Sequence, residues 1–249
     1  MSIDTTVNKL KDLKLQGMVQ GLNAQLKSSH HLSLPFEDRL GDIVDHEVTW
    51  RNEARLKALL RHAKLPTCAQ IEDLRFEDGR NLERNKITNL SSCLWVDQGY
   101  HILITGATGT GKTFLALALG YQCCLKGWRI QFHKMNLLLD DLKQARIVGE
   151  YRKRLAQLNK FQLLILDDFA LKSRLDSEEC ELLHDLLDGR QQQRSTIVTS
   201  QLPTESWHTY LRESYPTTAD SILDRLLSNP VCFNLTGASQ RQHRTPLLA

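Results

Sequence analysis

One loop constrains what this chain can fold into more than any other feature. The sequence GATGTGKT runs from Gly106 to Thr113 and sets two glycines, a lysine and a hydroxyl residue at the offsets of G-x-x-x-x-G-K-[ST]. Since glycine makes up about 7% of an average chain, chance gives this pattern in on the order of one per cent of chains this long. The pattern therefore favours a phosphate-binding loop over an ordinary glycine-rich turn.

Two apolar segments flank the loop. HILIT, from His101 to Thr105, is typical of a β-strand and precedes it, and TFLALAL, from Thr113 to Leu119, continues it as a helix. In a strand, loop and helix in this order, backbone N–H groups surround a polyphosphate at the positive end of the helix dipole. We therefore predict a nucleotide-binding loop that consists of Gly106, Ala107, Thr108, Gly109, Thr110, Gly111, Lys112, Thr113 and Phe114.

Side chains with specific chemistry complete the predicted site. Lys112 is placed to reach the terminal phosphates, and the Thr113 hydroxyl is placed to bind Mg²⁺. The apolar strand FQLLILDDFA ends in Asp167 and Asp168, and ligands of open α/β sheets bind at the carboxyl ends of strands. We predict that Asp167 binds Mg²⁺ and that Asp168 orients or deprotonates the attacking water, although two aspartates after a strand are also common in plain turns.

The next apolar strand, TIVTSQLP, has a polar end. Ser200 or Gln201 is a candidate for sensing the γ-phosphate or holding the water, and a simple turn is the alternative. The guanine-recognition motif N-K-x-D is absent, since NKIT at Asn85 precedes the loop and lacks the acid. The predicted cofactors are therefore ATP and Mg²⁺.

The order of predicted elements indicates the fold class. Strand-like and helix-like segments alternate after residue 96, which predicts an α/β fold with a parallel sheet and helices on both faces. The predicted segments are strands at 101–105, 129–133, 161–166, 196–200 and 231–235, with helices at 113–127, 136–159 and 177–188 between them. We predict three parts: a small all-helical N-terminal domain at 1–70, a connector at 71–95 and the sheet domain at 96–249.

The N-terminal part carries apolar positions at helical spacing. Two apolar stripes are expected to form packed helix faces, the second after a start signal at Ser33 and Pro35. They are Leu15, Met18, Leu22 and Leu26, and then Phe36, Leu40, Ile43 and Val44.

Charge and composition limit the classes of partner. The net charge of +3 and the isoelectric point near 8.5 require any nucleic-acid binding to come from local patches. The helix from Trp50 to Leu65 has a surplus of cations, so Arg51, Arg55 and Arg61 are either DNA contacts or parts of a solvated face. No segment resembles a signal peptide or a membrane span, and the cysteine spacing fits neither a zinc site nor a redox motif. The expected location is cytoplasmic, with no membrane partner.

Four segments taken together carry a family resemblance. GATGTGKT, LLILDDFA, VTSQLPTESW and ADSILDRLLSNP resemble the AAA+ ATPases of the IstB and DnaC group, most closely the IstB-like transposition helper ATPases. The resemblance implies an AAA+ P-loop NTPase that hydrolyses ATP and forms a homo-oligomer with ATP. It also implies sequence-independent binding of double-stranded DNA and assistance to a cognate transposase. A DnaC-like replicative helicase loader is the alternative, and a small-molecule kinase is disfavoured because no lid-like arginine cluster follows the sheet.

The resemblance also assigns roles to further residues. Arg225 in ILDRLL is similar to the family's arginine finger, which acts on the nucleotide of a neighbouring subunit, and Arg241 falls at the second sensor arginine. Many AAA+ proteins carry Glu where Asp168 stands and Asn where Gln201 stands. A helical insertion that lines a nucleic-acid path in this group corresponds to KQARIVGEYRKRLAQLNK. Its predicted DNA contacts are Lys143, Arg146, Arg152, Lys153 and Arg154.

Overall fold

The computed structural model describes residues 2–28, 31, 33–172, 174–190, 193–212, 216–228 and 230–240. The predicted sensor arginine, Arg241, lies outside these ranges. The chain forms two compact units, Met1–Ala58 and Leu59–Ala249. The domain boundaries proposed at residues 70 and 95 stay a prediction.

The first unit is helical. Its elements are α1 (Ile3–Asp12), α2 (Gln16–Leu26) and the first part of α3 (Phe36–Ala63). The backbones of α2 and α3 approach closely at Gly17, where a Cβ atom would lie 2.5 Å from the Cα of Glu47. The backbone N–H of Met18 donates to the Glu47 carboxylate at 3.1 Å. A residue larger than glycine at position 17 would therefore push the two helices apart.

The predicted apolar stripes of this unit are packed only in part, since three of the four residues of the first stripe are half-buried whereas most of the second stripe is exposed. Leu26 is 46% exposed, and Phe36, the first residue of the second stripe, is 69% exposed. Instead α2 turns its two glycines, Gly17 and Gly21, toward α3, because a face without side chains allows the closest approach of two helices. Hydrophobic spacing identified the helices correctly, but it did not identify the buried face.

The second unit is built on a sheet of five parallel strands in the order β2-β3-β4-β1-β5. The strands are β1 (Ile102–Gly106), β2 (Ile130–Lys134), β3 (Leu163–Phe169), β4 (Ser195–Ser200) and β5 (Val231–Leu235). In register, Leu103 pairs with Val198 on one side and with Cys232 on the other. The predicted fold class is confirmed, and β1 lies between β4 and the edge strand β5, so the loop after it leaves the carboxyl end of an interior strand.

Helices cover the sheet. They are α4 (Arg84–Leu90), α5 (Leu94–Asp97), α6 (Lys112–Leu125), α7 (Met135–Ile147), α8 (Tyr151–Leu158), α9 (Ser177–Asp188), α10 (Trp207–Arg212) and α11 (Pro216–Leu226), with short 3₁₀ turns at Ile71–Asp73 and Thr204–Ser206. Leu139, Leu166, Leu183, Trp207 and Ile222 are fully buried in one apolar core. In the described part of the chain, every helix is too short or too polar to cross a membrane.

The single helix predicted at 136–159 is wrong, because the chain breaks between α7 and α8. Gly149 has φ +74°, a left-handed conformation that ends a helix. Its N–H donates to the Arg146 carbonyl at 3.2 Å, and the Glu150 N–H donates to the Ala145 carbonyl at 2.8 Å. These two bonds form a Schellman motif, which satisfies the last carbonyls of α7 before α8 begins.

Candidate phosphate-binding site

A cavity of about 610 Å³ opens at the carboxyl ends of the central strands. Of the predicted site residues, those that line it are Thr108, Gly109, Gly111, Lys112, Thr113, Phe114, Asp168 and Gln201. They come from three separate stretches of sequence that the sheet brings together. The sequence therefore located the cavity.

The loop between β1 and α6 needs its glycines. Gly106, Gly109 and Gly111 all have positive φ angles, of +143°, +87° and +94°. A Cβ atom at Gly106 would lie 2.2 Å from the Leu235 carbonyl oxygen on β5, so the neighbouring strand also excludes a side chain there. The three glycines therefore provide backbone conformations that other residues rarely adopt, and no side chain at these positions shields the backbone of the loop.

Lys112 is the first residue of α6 and lies largely buried under the loop. Its Nζ donates to the Ala107 carbonyl at 2.9 Å, and the Thr110 hydroxyl donates to the same oxygen at 2.9 Å. The side chain of Lys112 thus folds back and binds the backbone of the phosphate loop. An ammonium in this position lies within the cradle that the backbone forms for an anion.

The two predicted Mg²⁺ ligands lie in contact. The Thr113 hydroxyl donates to Asp167 Oδ1 at 2.8 Å, although the two residues are 54 positions apart in the chain. Burial raises the pKa of the Asp167 carboxyl, while hydrogen bonds from Thr199 and Thr113 favour its ionised form. A hydroxyl and a carboxylate are hard oxygen donors of the kind that Mg²⁺ binds in nucleotide sites, so the residues fit the ion.

Thr199 on β4 is a site residue that the sequence reasoning missed. Its hydroxyl donates to Asp167 Oδ1 at 2.6 Å and accepts the backbone N–H of Asp168 at 3.1 Å. Asp168 has φ +62°, so its backbone is in the left-handed region, and its side chain lines the cavity. Four of the six residues of β4 carry hydroxyls, so no local signal in the sequence distinguished Thr199 from the others.

Ser200 and Gln201, the two sensor candidates, lie in different surroundings. Ser200 is fully buried, donates to the Phe169 carbonyl at 2.8 Å and accepts the Leu202 N–H at 3.0 Å, which stabilises the turn after β4. Gln201 lines the cavity, and its Oε1 accepts the Thr108 hydroxyl at 2.8 Å. Gln201 is therefore the one of the two that can reach a ligand.

A further wall of the cavity was also missed. It is formed by the segment before β1, and its lining residues are Thr67, Asp73, Leu74, Arg75 and Arg80. Leu117 of α6 lies at the same cavity. The wall combines aliphatic and polar side chains opposite the phosphate loop, an arrangement suited to the nucleoside part of a nucleotide. No local pattern in the sequence marks these residues.

Arg225 does not line this cavity. It lies on α11, its side chain is 14% exposed, and its Nη2 binds the Asp188 carboxylate at the end of α9. Its Nη1 donates to the Ser221 carbonyl at 2.8 Å. The guanidinium is therefore held within its own subunit, away from that subunit's phosphate loop.

Most predicted DNA contacts of α7 and α8 form ion pairs within the chain. Lys143 binds Asp176 at 2.7 Å, and Arg146 binds Glu178 at 3.3 Å, both at the start of α9. Within the helical pair itself, Arg154 of α8 binds Asp141 of α7 at 2.6 Å. These pairs reduce the charge that the three residues offer to an external phosphate.

The two remaining cations of α8 are more accessible to an external phosphate. Arg152 is exposed and has no ion pair within the described residues, and Lys153 pairs only with the exposed Glu150, at 2.8 Å. On α3, Arg51 binds the Glu47 carboxylate at 2.7 Å, and Arg51, Arg55 and Arg61 are all exposed. In α7 and α8 the structure thus separates cations held by ion pairs with other helices from the more accessible Arg152 and Lys153.

Comparisons with known proteins identify the family of the chain. Residues 8–247 match the family model described as IstB-like ATP binding protein. An ATP-binding protein of an insertion sequence from Sinorhizobium fredii is 37% identical over 241 residues, which cover 97% of this chain and 96% of that protein. The ATP-binding protein of insertion sequence IS1162 from Pseudomonas fluorescens is 40% identical over 209 residues, which cover 83% of this chain and 89% of that protein.

Solved structures share the fold at lower identity. DnaI matches with a TM-score of 0.56 and 21% identity, over 70% of this chain and 90% of that chain. The DnaC helicase loader matches with a TM-score of 0.54 and 21% identity, over 68% of this chain and 97% of that chain. The fold is that of the AAA+ P-loop proteins.

Proposed function

This chain belongs to the family of IstB-like ATP binding proteins, and on that premise we propose that it binds and hydrolyses ATP with Mg²⁺. The observation that carries the proposal is the contact between the Thr113 hydroxyl and Asp167 at 2.8 Å. It joins the phosphate loop to the strand that bears the acids. In a P-loop NTPase the same two kinds of residue hold Mg²⁺ against the phosphates.

The chain's own residues account for the steps of hydrolysis. Loop N–H groups and Lys112 bind the phosphates, and bound Mg²⁺ supplies positive charge that offsets the charge on the phosphates. Asp168 lies at the cavity and orients or deprotonates the attacking water. Gln201 lies across from it, held by Thr108, where its amide contacts the water or the terminal phosphate.

The second part of the proposal concerns the purpose of hydrolysis. The relatives that align with most of this chain are named as insertion-sequence ATP-binding proteins. We infer that the protein assembles with ATP on double-stranded DNA and assists a transposase in choosing or engaging its target. Replicative helicase loading is the competing role, and the likeness to DnaC and DnaI at 21% identity concerns the fold alone.

The experiment joins both parts. An insertion assay with the cognate transposase, a donor and a target plasmid would be run with this protein, with or without ATP, and with Lys112→Ala as the matched control. We expect ATP hydrolysis and a protein-dependent rise in insertion, both lost in Lys112→Ala. Hydrolysis without any effect on insertion would overturn the transposition role alone, and stimulated loading of a replicative helicase would establish its rival.

A further inference from the structure

Arg80 is a buried cation at the wall of the nucleotide cavity. Only 6% of the residue is exposed, and burial lowers the pKa of its guanidinium. Its Nη2 donates to the Thr110 carbonyl in the phosphate loop at 2.9 Å, and its Nη1 donates to the Arg75 carbonyl. One side chain thus links the loop to the wall that faces it.

A second buried arginine shows what is unusual about Arg80. Arg190 is 1% exposed, and its three nitrogens donate to backbone carbonyls and the Thr196 hydroxyl, so every nitrogen has a partner. Arg80 has no hydrogen bond at Nε and, among the described residues, no carboxylate within 4 Å, although the charge of Glu77 acts on it from a greater distance. It also lines the cavity, which Arg190 does not. A buried charge normally has a counter-charge, and the cavity is where an anion would supply it.

The bond to Thr110 also fixes the direction of the next N–H group. The peptide bond between Thr110 and Gly111 is planar and trans, so its carbonyl and its N–H point in opposite directions. Because the carbonyl points at Arg80, the Gly111 N–H points away from it. Gly111 lies at the cavity with φ +94°, and a Cβ atom there would meet the Arg80 Nη2 at 3.0 Å.

The backbone at Arg80 is anchored to the sheet. The Thr236 N–H, just after β5, donates to the Arg80 carbonyl at 3.1 Å, and the Thr236 hydroxyl donates to the Gly79 carbonyl. The Asn81 side chain donates to the Asn234 carbonyl on β5 at 2.9 Å. The backbone that carries the guanidinium is therefore fixed relative to the sheet.

We propose that Arg80 is a positioning residue for nucleotide binding, which fixes the orientation of the Gly111 N–H in the phosphate loop and adds a fixed positive charge to the wall of the cavity. This inference rests on the proposed binding of ATP. It predicts that the contribution of Arg80 depends on the phosphates beyond the first one. A merely structural role would change the binding of all adenine nucleotides alike.

The test measures the dissociation constants of ATP and AMP for the full chain by competition with a fluorescent ATP analogue. The variants are Arg80→Gln, Arg80→Lys and the control Arg190→Lys, each checked by its unfolding temperature without nucleotide. We expect ATP affinity to fall about ten- to a hundredfold in Arg80→Gln, since a charge-assisted hydrogen bond is lost, with AMP affinity changed less than about threefold. Arg80→Lys keeps the positive charge but cannot donate to the Thr110 and Arg75 carbonyls at the same time. Its loss of ATP affinity should therefore be smaller than that of Arg80→Gln.

Three outcomes have distinct meanings. Unchanged ATP affinity in the Arg80 variants, or an equal loss for ATP and AMP, would overturn the inference while the proposed function stands. The same selective loss of ATP in Arg190→Lys would also overturn it. Failure of the wild-type protein to bind ATP would overturn the proposed function and this inference together. If Arg80→Gln does not fold, the ATP and AMP affinities of Arg80→Lys provide the test: a selective loss of ATP affinity supports the inference, and no loss or an equal loss overturns it.

Discussion

The guanidinium of Arg225 lies against the carboxylate of Asp188, with 2.5 Å between Nη2 and Oδ1. This hydrogen bond lowers the pKa of the Asp188 carboxyl. To act as an arginine finger on the nucleotide of a neighbouring subunit, Arg225 has to break its ion pair with Asp188 and bind a phosphate instead. On the proposed role of Arg225 as an arginine finger, we expect Asp188 to compete with the neighbouring site for its guanidinium.

The first prediction concerns this competition. Asp188→Asn removes the charge that holds Arg225, and an exposed ion pair is worth roughly 0.2 to 1 kcal/mol. We expect the protein concentration that gives half-maximal ATPase activity on DNA to fall by up to about fivefold. Glu83→Gln, which breaks an exposed ion pair with Lys86 outside the predicted DNA contacts, serves as the control. An unchanged concentration dependence in Asp188→Asn would argue against the competition.

The second prediction tests whether Arg225 acts in trans. Arg225→Ala should fold and bind ATP but lose about 10³- to 10⁵-fold in hydrolysis, the range that arginine fingers supply in related reactions. Mixing it with Lys112→Ala should restore turnover, because one subunit keeps the phosphate loop and the other keeps the finger. The ATPase rate is measured across mixing ratios with DNA present. A rate that never exceeds the sum of the two mutants would contradict action in trans.

The third prediction separates binding from hydrolysis. Lys112→Ala removes a phosphate contact and should lose ATP affinity, whereas Asp168→Asn removes only the carboxylate that acts on water. Asp168→Asn should therefore bind ATP like the wild type, fail to hydrolyse it and persist on DNA. Equal ATP affinity in the wild type and Lys112→Ala would show that the loop has been misassigned.

The fourth prediction follows from the division of the basic residues. Affinity for duplex DNA should fall steeply with salt and vary little with sequence, because backbone phosphates are the ligand. Replacing Arg152 and Lys153 by Gln should reduce the slope of log K against log salt by about two, since each phosphate contact contributes roughly 0.9. Arg146→Gln, which removes an internally paired cation, should leave the slope unchanged and lower the unfolding temperature.

The parallel sheet and the loop could be predicted because their signals are local. Strand β3 extends to Phe169, beyond the predicted end at Leu166, because Asp167 still pairs with β2 and Phe169 pairs with Ser200 of β4 after an irregularity in the register. The break at Gly149 was missed because one glycine within a helical pattern is compatible with either a continuous or an interrupted helix.

The parts of the site that escaped prediction depend on distant contacts. Arg80 meets Thr110 across 30 residues, and Thr199 meets Asp167 across 32. Neither pair leaves a spacing pattern in the sequence, because the sheet topology alone brings them together. Similarly, the ion pair between Arg146 and Glu178 could not be seen in a basic stretch considered by itself.

The last prediction concerns acid stability and starts from His101, which precedes β1. Its Nδ1 accepts the Thr196 backbone N–H at 3.1 Å, so that nitrogen has to be unprotonated in the folded state. Burial, with a smaller effect from the nearby charge of Arg190, lowers the pKa of His101 to about 4. The histidine is therefore neutral in the fold under conditions in which an unfolded chain would protonate it.

The sign of the pH effect follows from these two pKa values. Between the unfolded value of 6.5 and the folded value of about 4, the unfolded state binds more protons, so the free energy of unfolding falls as the pH falls. The His101 contribution is fully present above pH 6.5, and its loss between pH 7.5 and 5.0 is about 2 kcal/mol. His133, whose pKa burial also lowers to about 4, adds a comparable loss of unfolding free energy.

His101→Asn keeps an acceptor for the Thr196 N–H but cannot titrate, so urea unfolding at the two pH values should show roughly half of the wild-type loss of unfolding free energy. If the variant and the wild type lose the same free energy, the neutral buried state of His101 does not contribute to the acid sensitivity of the fold.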